Sequence, residues 1–305
     1  MSRILISGLI NVETTLKVEG FPIPYFPVRY PFHGINSMVS GVGYNISKAL
    51  NTLGDEVAFL SIIGEDLAAQ QVRITLEVEN IPGENVLGLM PHTAQSVILY
   101  DPTGQRQIHT DLKDIQKRVY PMEIFEQEMR TCDLLVLCNI NFSRPMLERA
   151  RRAGKLIATD VHTLSELNDE YNQEFMRAAQ ILFMSDENLP TSPEGWARQV
   201  LHNYGTEILV IGLGAKGVLL SVRSDNFIEC IPAVQTRPVI NSIGAGDALF
   251  SAFLHSYLQS QNPYESIQKA VVFASYKIGE KGAAEGFLSH ENLEMLYQEA
   301  SGAQS

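Results

Sequence analysis

The sequence predicts an α/β protein: a mainly parallel, doubly wound sheet with helices on both faces and a small β lid over one edge. Three observations predict it. Short apolar runs bounded by turn residues alternate with helical patterns along most of the chain, which is how β-α repeats read. Residues 96–109 interrupt that alternation as a hairpin. Near the C-terminal end the turn Gly244-Ala245-Gly246 opens an apolar run at helical spacing.

The first element, Arg3 to Gly8, is a β-rich run ending in glycine, which suits an inner strand of a parallel sheet. Asn11 and Glu13 follow at alternate positions. On an extended segment such side chains point the same way, so both could reach the hydroxyls of one ligand; a solvated edge strand would carry the same pair. Phe21 to Phe32 holds too much proline for a helix or a central strand and reads as a loop or edge ribbon. Its aromatics Tyr25, Phe26, Tyr30 and Phe32 could cover a ligand or a partner subunit, or pack on their own domain. Ser40-Gly41-Val42-Gly43-Tyr44-Asn45 leads into a helix carrying Ile46, Ala49, Leu50 and Leu53 and closed by Gly54. The two glycines offer backbone amides to a ligand, and Asn45 can donate and accept; helix-entry geometry alone would ask for the same residues.

Asp55 to Ile63 reads as a strand, followed by a helix to about Asn80. Ser96 to Tyr100 and Gln105 to His109 flank the turn sequence Asp101-Pro102-Thr103-Gly104, hence the hairpin. With the proline-rich ribbon it forms the expected lid, about residues 12–39 and 93–111, on a single domain spanning residues 1–305. The remainder repeats strand then helix: strands at Leu134–Cys138, Leu156–Asp160 and Ile181–Met184, with helices running through Arg151 and Ala179. Ligands of doubly wound sheets lie beyond the C-terminal strand ends, where Asp160 and Ser185-Asp186-Glu187-Asn188 fall. A strand-end acid is otherwise often a helix cap.

Gly212-Leu213-Gly214-Ala215-Lys216-Gly217 contains a GxGxxG string, but Val218 to Val222 is a second β run, so the glycines read as a hairpin rather than a dinucleotide fingerprint. A nicotinamide oxidoreductase would require a helix there. No GxxxxGK[ST] string supports P-loop chemistry. Further on, Ser266 to Glu280 is a helix, Lys281 to Gly286 a break, and His290 to about Glu299 a last amphipathic helix.

A chain of 305 residues with 45% apolar and 19% charged residues can bury a full core. Its formal charge of −12 argues against nucleic acid or an anionic membrane as the main partner. No apolar run approaches the roughly 20 residues of a membrane span, and the first apolar run is too short for a signal peptide. The three cysteines show no metal-like spacing, which suits reduced thiols in a cytoplasmic protein.

The turn at Asn241-Ser242-Ile243-Gly244-Ala245-Gly246-Asp247 carries the chemistry. Unpaired amides and the positive end of a helix make a seat for an anion, and small residues let a phosphate approach closely. Asp247 would repel that anion unless it is a general base, taking a proton from a substrate hydroxyl while the amides stabilise the transferring phosphoryl. The simpler alternative is that Asp is favoured in the first turn of any helix.

Taken together, Gly8-x-Ile10-Asn11-x-Glu13, Gly41-x-Gly43-x-Asn45, Gly212 to Gly217 and Gly244-Ala245-Gly246-Asp247 resemble, in order and spacing, the ribokinase-like (PfkB) carbohydrate kinases. The resemblance implies a three-layer α/β/α sandwich with a β lid, and ATP-dependent phosphorylation of a sugar or nucleoside hydroxyl, usually with Mg2+. It implies Asp247 as the base and Gly244, Ala245 and Gly246 as the anion hole. Asn11, Glu13, Gly41, Gly43 and Asn45 would bind substrate hydroxyls, and Asp160 resembles an acid that some sugar kinases carry. Ser185, Gly212, Gly214, Lys216 and Gly217, with Gly282 and Ala283 of the connector, would lie along ATP. Members of the family often pair through their lids, and the loop aromatics fit such a homodimer.

Several positions depart from the family pattern. Asn241 stands where an acid usually helps hold a monovalent cation, which weakens the case for potassium. Glu13 replaces a common Asp, and Ser40 a common glycine. The Asn-x-x-Glu magnesium motif appears as Ser185-Asp186-Glu187-Asn188, so metal handling would pass to Asp186 or Glu187. A catalytically weak sugar- or nucleoside-binding sensor on the same fold is the alternative these departures suggest.

Overall fold

The computed structural model describes residues 2–302. Its strands are β1 (Arg3–Ser7), β2 (Asn11–Lys17), β3 (Ile35–Ser40), β4 (Glu56–Ile63), β5 (Val86–Gly88), β6 (Gln95–Tyr100), β7 (Arg106–Asp111), β8 (Leu134–Leu137), β9 (Leu156–Asp160), β10 (Ile181–Ser185), β11 (Ile208–Gly212), β12 (Gly217–Val222) and β13 (Phe227–Pro232). Its α-helices are α1 (Val42–Leu53), α2 (Leu67–Val78), α3 (Met122–Met129), α4 (Arg144–Arg152), α5 (Gln173–Ala178), α6 (Pro193–Asn203), α7 (Ala245–Ser260), α8 (Pro263–Lys277) and α9 (His290–Gly302).

The larger sheet has nine strands in the order β13-β12-β11-β10-β9-β8-β1-β4-β5. From β11 through to β5 every pairing is parallel; β12 and β13 add an antiparallel edge. β1 is the inner strand its composition predicts, held between β4 and β8. Alternation along the strands builds two cores. Ile4 and Ile6 face the layer of α1, α7 and α8, while Leu5 faces that of α3 to α6. The three-layer α/β/α sandwich follows from that arrangement. α7 is apolar on nearly all sides and is buried from Ala248 through Ser256 between α1 and α8. Phe250 and Phe253 anchor it to the sheet, with ring centroids 4.7 and 5.3 Å from that of Phe183 on β10.

A second sheet of four strands, in the order β3-β2-β6-β7, holds the residues of the sequence hairpin. β2 lies inside this sheet, so Asn11 and Glu13 are buried rather than solvated on an edge.

One expectation is corrected and another is met. The helix ending near Ala179 begins only at Gln173; residues 161–172 run irregularly, held by turns such as Asn172 N–H to Asp169 Oδ1 at 2.8 Å. The glycine string at 212–217 joins β11 to an antiparallel β12 through a short 3-10 turn at Gly214–Lys216, so no helix opens there and the oxidoreductase alternative falls. Among the described residues, no helix is long and apolar enough to cross a membrane.

Candidate active site

Two chain crossings build the site. The first brings the end of β1 against the start of α1. Gly41 caps that helix at φ 109°, where a side chain would press on the Leu9 carbonyl, and a Cβ on Gly43 would lie 2.8 Å from the Gly8 Cα. Only glycines permit this approach. It sets Asn45, one turn into α1, so that its Nδ2 donates to Asp247 Oδ2 at 2.7 Å.

The second crossing is the turn before α7. Gly244 sits at φ 76°, with its Cα face against the backbone of Ala283. The connector at 282–285 therefore packs directly on the turn, and Gly282 N–H is fixed by Glu285 Oε2 at 2.8 Å. Ala245 N–H bonds Ser242 O at 3.2 Å, so, against expectation, its amide is not among the free ones of the turn; Ala248 N–H bonds Gly244 O. Among the described residues, no protein acceptor meets the amides of Gly244, Gly246 or Asp247. Free amides at the positive end of a 16-residue helix have the chemistry to seat an anion.

Asp247 is half-buried beside those amides. Burial pushes its carboxyl up to about 6; the Asn45 bond and the nearby His162 and Lys277 oppose that rise, and Asp160 adds to it. A carboxyl poised there is ionised at neutral pH yet able to accept a proton.

Asn11, Glu13 and Asn45 converge on this place with acceptors to spare. Asn11 Nδ2 donates to Ser96 Oγ at 3.1 Å, but its Oδ1 is buried without a partner, as are Glu13 Oε1 and Asn45 Oδ1. Burial raises the Glu13 carboxyl pKa, the Ser40 hydroxyl offsets part of the rise, and the negative charge of Asp247 adds to it. Three orphaned buried acceptors are costly unless a ligand supplies donors.

Asp160 ends β9 and bears on the charge of Asp247, while its Oδ1 accepts from His162 N–H at 2.8 Å. Ser185 and Gly212 are paired at the ends of β10 and β11, and Asp186 N–H bonds Gly212 O at 2.9 Å. Glu187, Gly214 and Lys216 are exposed near these strand ends, and among the described residues no hydrogen bond or ion pair ties them to the Asp247 turn. Gly217, at φ 107°, is required by its close packing on the backbone of Ile231 to Ala233 at the end of β13.

Three residues escaped the sequence reading. Lys277 is fully buried and donates to the Ile243 carbonyl; His162 follows Asp160 by two residues; Arg106, on β7, acts on the charge of Glu13. Lys277 left a signal, since it falls on the apolar stripe Ile267, Ala270, Ala274 of α8, where a lysine is out of place.

Sheet order, second sheet and amide turn facing a carboxylate define the class, an α/β small-molecule kinase. The chain belongs to the pfkB family of carbohydrate kinases, whose profile matches residues 1–290. Its activity is ATP-dependent phosphotransfer to a sugar hydroxyl. It is similar to the acarbose 7(IV)-phosphotransferase of Actinoplanes sp., at 22% identity over 275 residues, covering 90% of this chain and 91% of that protein. Among solved structures, the microbiome-derived acarbose kinase Mak1 superposes with a TM-score of 0.87 at 23% identity, covering 97% of this chain and 99% of the other. Ribokinase of Thermotoga maritima gives 0.79 at 22% identity, covering 98% and 100%.

Proposed function

We propose that Asp247 is the general base of this kinase and that the acceptor alcohol is bound by Asn11, Glu13 and Asn45. The single observation that carries the reading is the carboxyl of Asp247, held by Asn45 at 2.7 Å beside three amides that, among the described residues, no protein acceptor meets. In the step, the alcohol oxygen attacks the γ-phosphorus of ATP and its proton passes to Asp247. The bond between that phosphorus and the β,γ-bridging oxygen breaks, and ADP departs with the electron pair. The amides of Gly244, Gly246 and Asp247 stabilise the charge spreading over the phosphoryl oxygens.

The four-stranded sheet would act as a lid. Arg106 on β7 bears on Glu13, so the sheet both carries the acceptor-binding residues and covers them. Closure over substrate excludes water and limits idle hydrolysis. The exposed aromatics of the 18–34 connection, Tyr25 at 88% and Phe32 at 86% exposure among them, suit pairing of two lids into a homodimer; a monomer at all concentrations in sedimentation would refute that.

The nucleotide would lie along Ser185, Gly212, Gly214, Lys216 and Gly217 and the Gly282-Ala283 connector, which abuts the anion turn. The donor set fits Mg2+, which keeps most of its waters and takes one or two carboxylates beside phosphates. Among the described residues no hydrogen-bond donor engages the Asp186 carboxylate, leaving it, with Glu187, to hold the ion beside the phosphates. Bound there, it would neutralise phosphate charge.

Sugar is favoured over nucleoside as acceptor. Measuring ADP release across pentoses, hexoses, sugar phosphates, oligosaccharides and nucleosides tests this. A preference for nucleosides would move the acceptor class, and binding without turnover would turn the protein into a sensor.

A further inference from the structure

Lys277 closes α8, and its side chain is fully buried. Its ammonium donates to the carbonyl of Ile243, the residue directly before Gly244. α7 and α8 are closely packed, so the last turn of one lies beside the first turn of the other. A buried ammonium is costly, and a methionine would fill the same volume without that cost. Charged groups from four elements face it: Asp247 on α7, Glu13 on β2 and Glu285 on the connector attract it, and Arg106 on β7 repels it. Burial lowers its pKa to about 8, which leaves it charged at neutral pH.

The resemblance to the family implies a monovalent cation beside the anion hole, and the donor set here does not fit one. Asn241 supplies an amide whose two ends are already committed, Oδ1 to Ile243 N–H at 2.7 Å and Nδ2 to Lys281 O at 2.5 Å. Ile240 and Asn241 both donate to Ile278 O, at 2.9 and 3.1 Å, so this strip is zipped to the C-terminal end of α8. The Ile243 carbonyl at the same turn is taken by Lys277.

We propose that Lys277 is a positioning residue whose ammonium is the fixed positive charge beneath the anion turn, so that phosphoryl transfer needs no free monovalent cation. The ammonium neutralises a carbonyl that would otherwise oppose incoming phosphate charge, and it holds the turn so that the amides of Gly244, Gly246 and Asp247 stay aimed outward. This inference rests on the kinase reading.

The test compares turnover with ATP, Mg2+ and an accepted sugar when tetramethylammonium or potassium is the monovalent cation present. Wild type is expected to keep kcat within about twofold between the two. Lys277→Met is expected to fold, to lose about a hundredfold in kcat and to change KM little. Lys277→Ala is expected to regain part of its kcat when potassium or methylammonium is added, with wild type unmoved. A wild type that depends on potassium, a Lys277→Met variant with unchanged kcat, or an Ala variant that no cation rescues overturns the proposal. A wild type inert toward every acceptor would instead sink the kinase reading, and this inference with it.

Discussion

Asn45 Nδ2 and Asp247 Oδ2 lie 2.7 Å apart although 202 residues separate them in the chain. That bond joins the N-terminal turn of α1 to that of α7, and it is one of the influences that keep the Asp247 carboxyl from rising further. Two helix starts are thereby locked face to face around one carboxylate.

Replacing Asn45 by Leu removes the bond and leaves burial unopposed by it. The Asp247 carboxyl then titrates higher than about 6, and the acid side of the activity profile moves to higher pH. A shift of one unit lowers activity about tenfold on the acid side. A profile superposable on that of the wild type would contradict this coupling.

In the wild type, Asp247 has to be ionised to accept a proton. With its carboxyl near 6, kcat/KM rises about tenfold per pH unit below that value and levels off above it. The stability effect has the opposite sign. Folded Asp247 holds its proton more tightly than the unfolded chain does, so its ionisation costs stability as pH rises from about 3.8, the unfolded value, through about 6. Thermal melts across this range check it: Asp247→Asn is expected to melt no lower than wild type at pH 7, and a clear destabilisation would count against it.

Glu13→Gln keeps one acceptor oxygen and loses the charge. A charged hydrogen bond contributes roughly 1.5–3 kcal/mol, so the KM for the acceptor is expected to rise about tenfold to a hundredfold while that for ATP stays put. Equal changes in both constants would remove Glu13 from the acceptor site.

Gly43→Ala tests the chain crossing. A Cβ there would lie 2.8 Å from Gly8 Cα, backbone against backbone, so β1 and α1 have to separate. Overpacking of this kind costs about 1–3 kcal/mol, and because Asn45 rides on the same turn, melting temperature and kcat are expected to fall together. Loss of neither would show that the crossing has slack.

Much of the fold was legible because its signals are local. Apolar strand runs, the Asp101-Pro102-Thr103-Gly104 turn and the glycines that open α1 and α7 each announce themselves within a few residues. The hairpin at 212–217 was readable for the same reason, since the β run after Gly217 leaves no room for a helix. The irregular stretch at 161–172 was not, because it is held by turn bonds around Asp169 and by the burial of Leu164, which carry no period. Lys277 was missed for a different reason. Its meaning depends on Ile243, 34 residues away, and on Asp247, Glu13 and Glu285, which only the packed molecule gathers around it. Arg106 escaped likewise, because β7 meets Glu13 only through the second sheet.

The most direct test of the account is single-turnover phosphoryl transfer by Asp247→Asn, measured by rapid quench beside calorimetric ATP binding. The account expects ATP affinity to stay near wild type while transfer falls by about 10²–10⁴. Transfer at the wild-type rate would mean that no proton passes through Asp247, and the site as described here would be wrong.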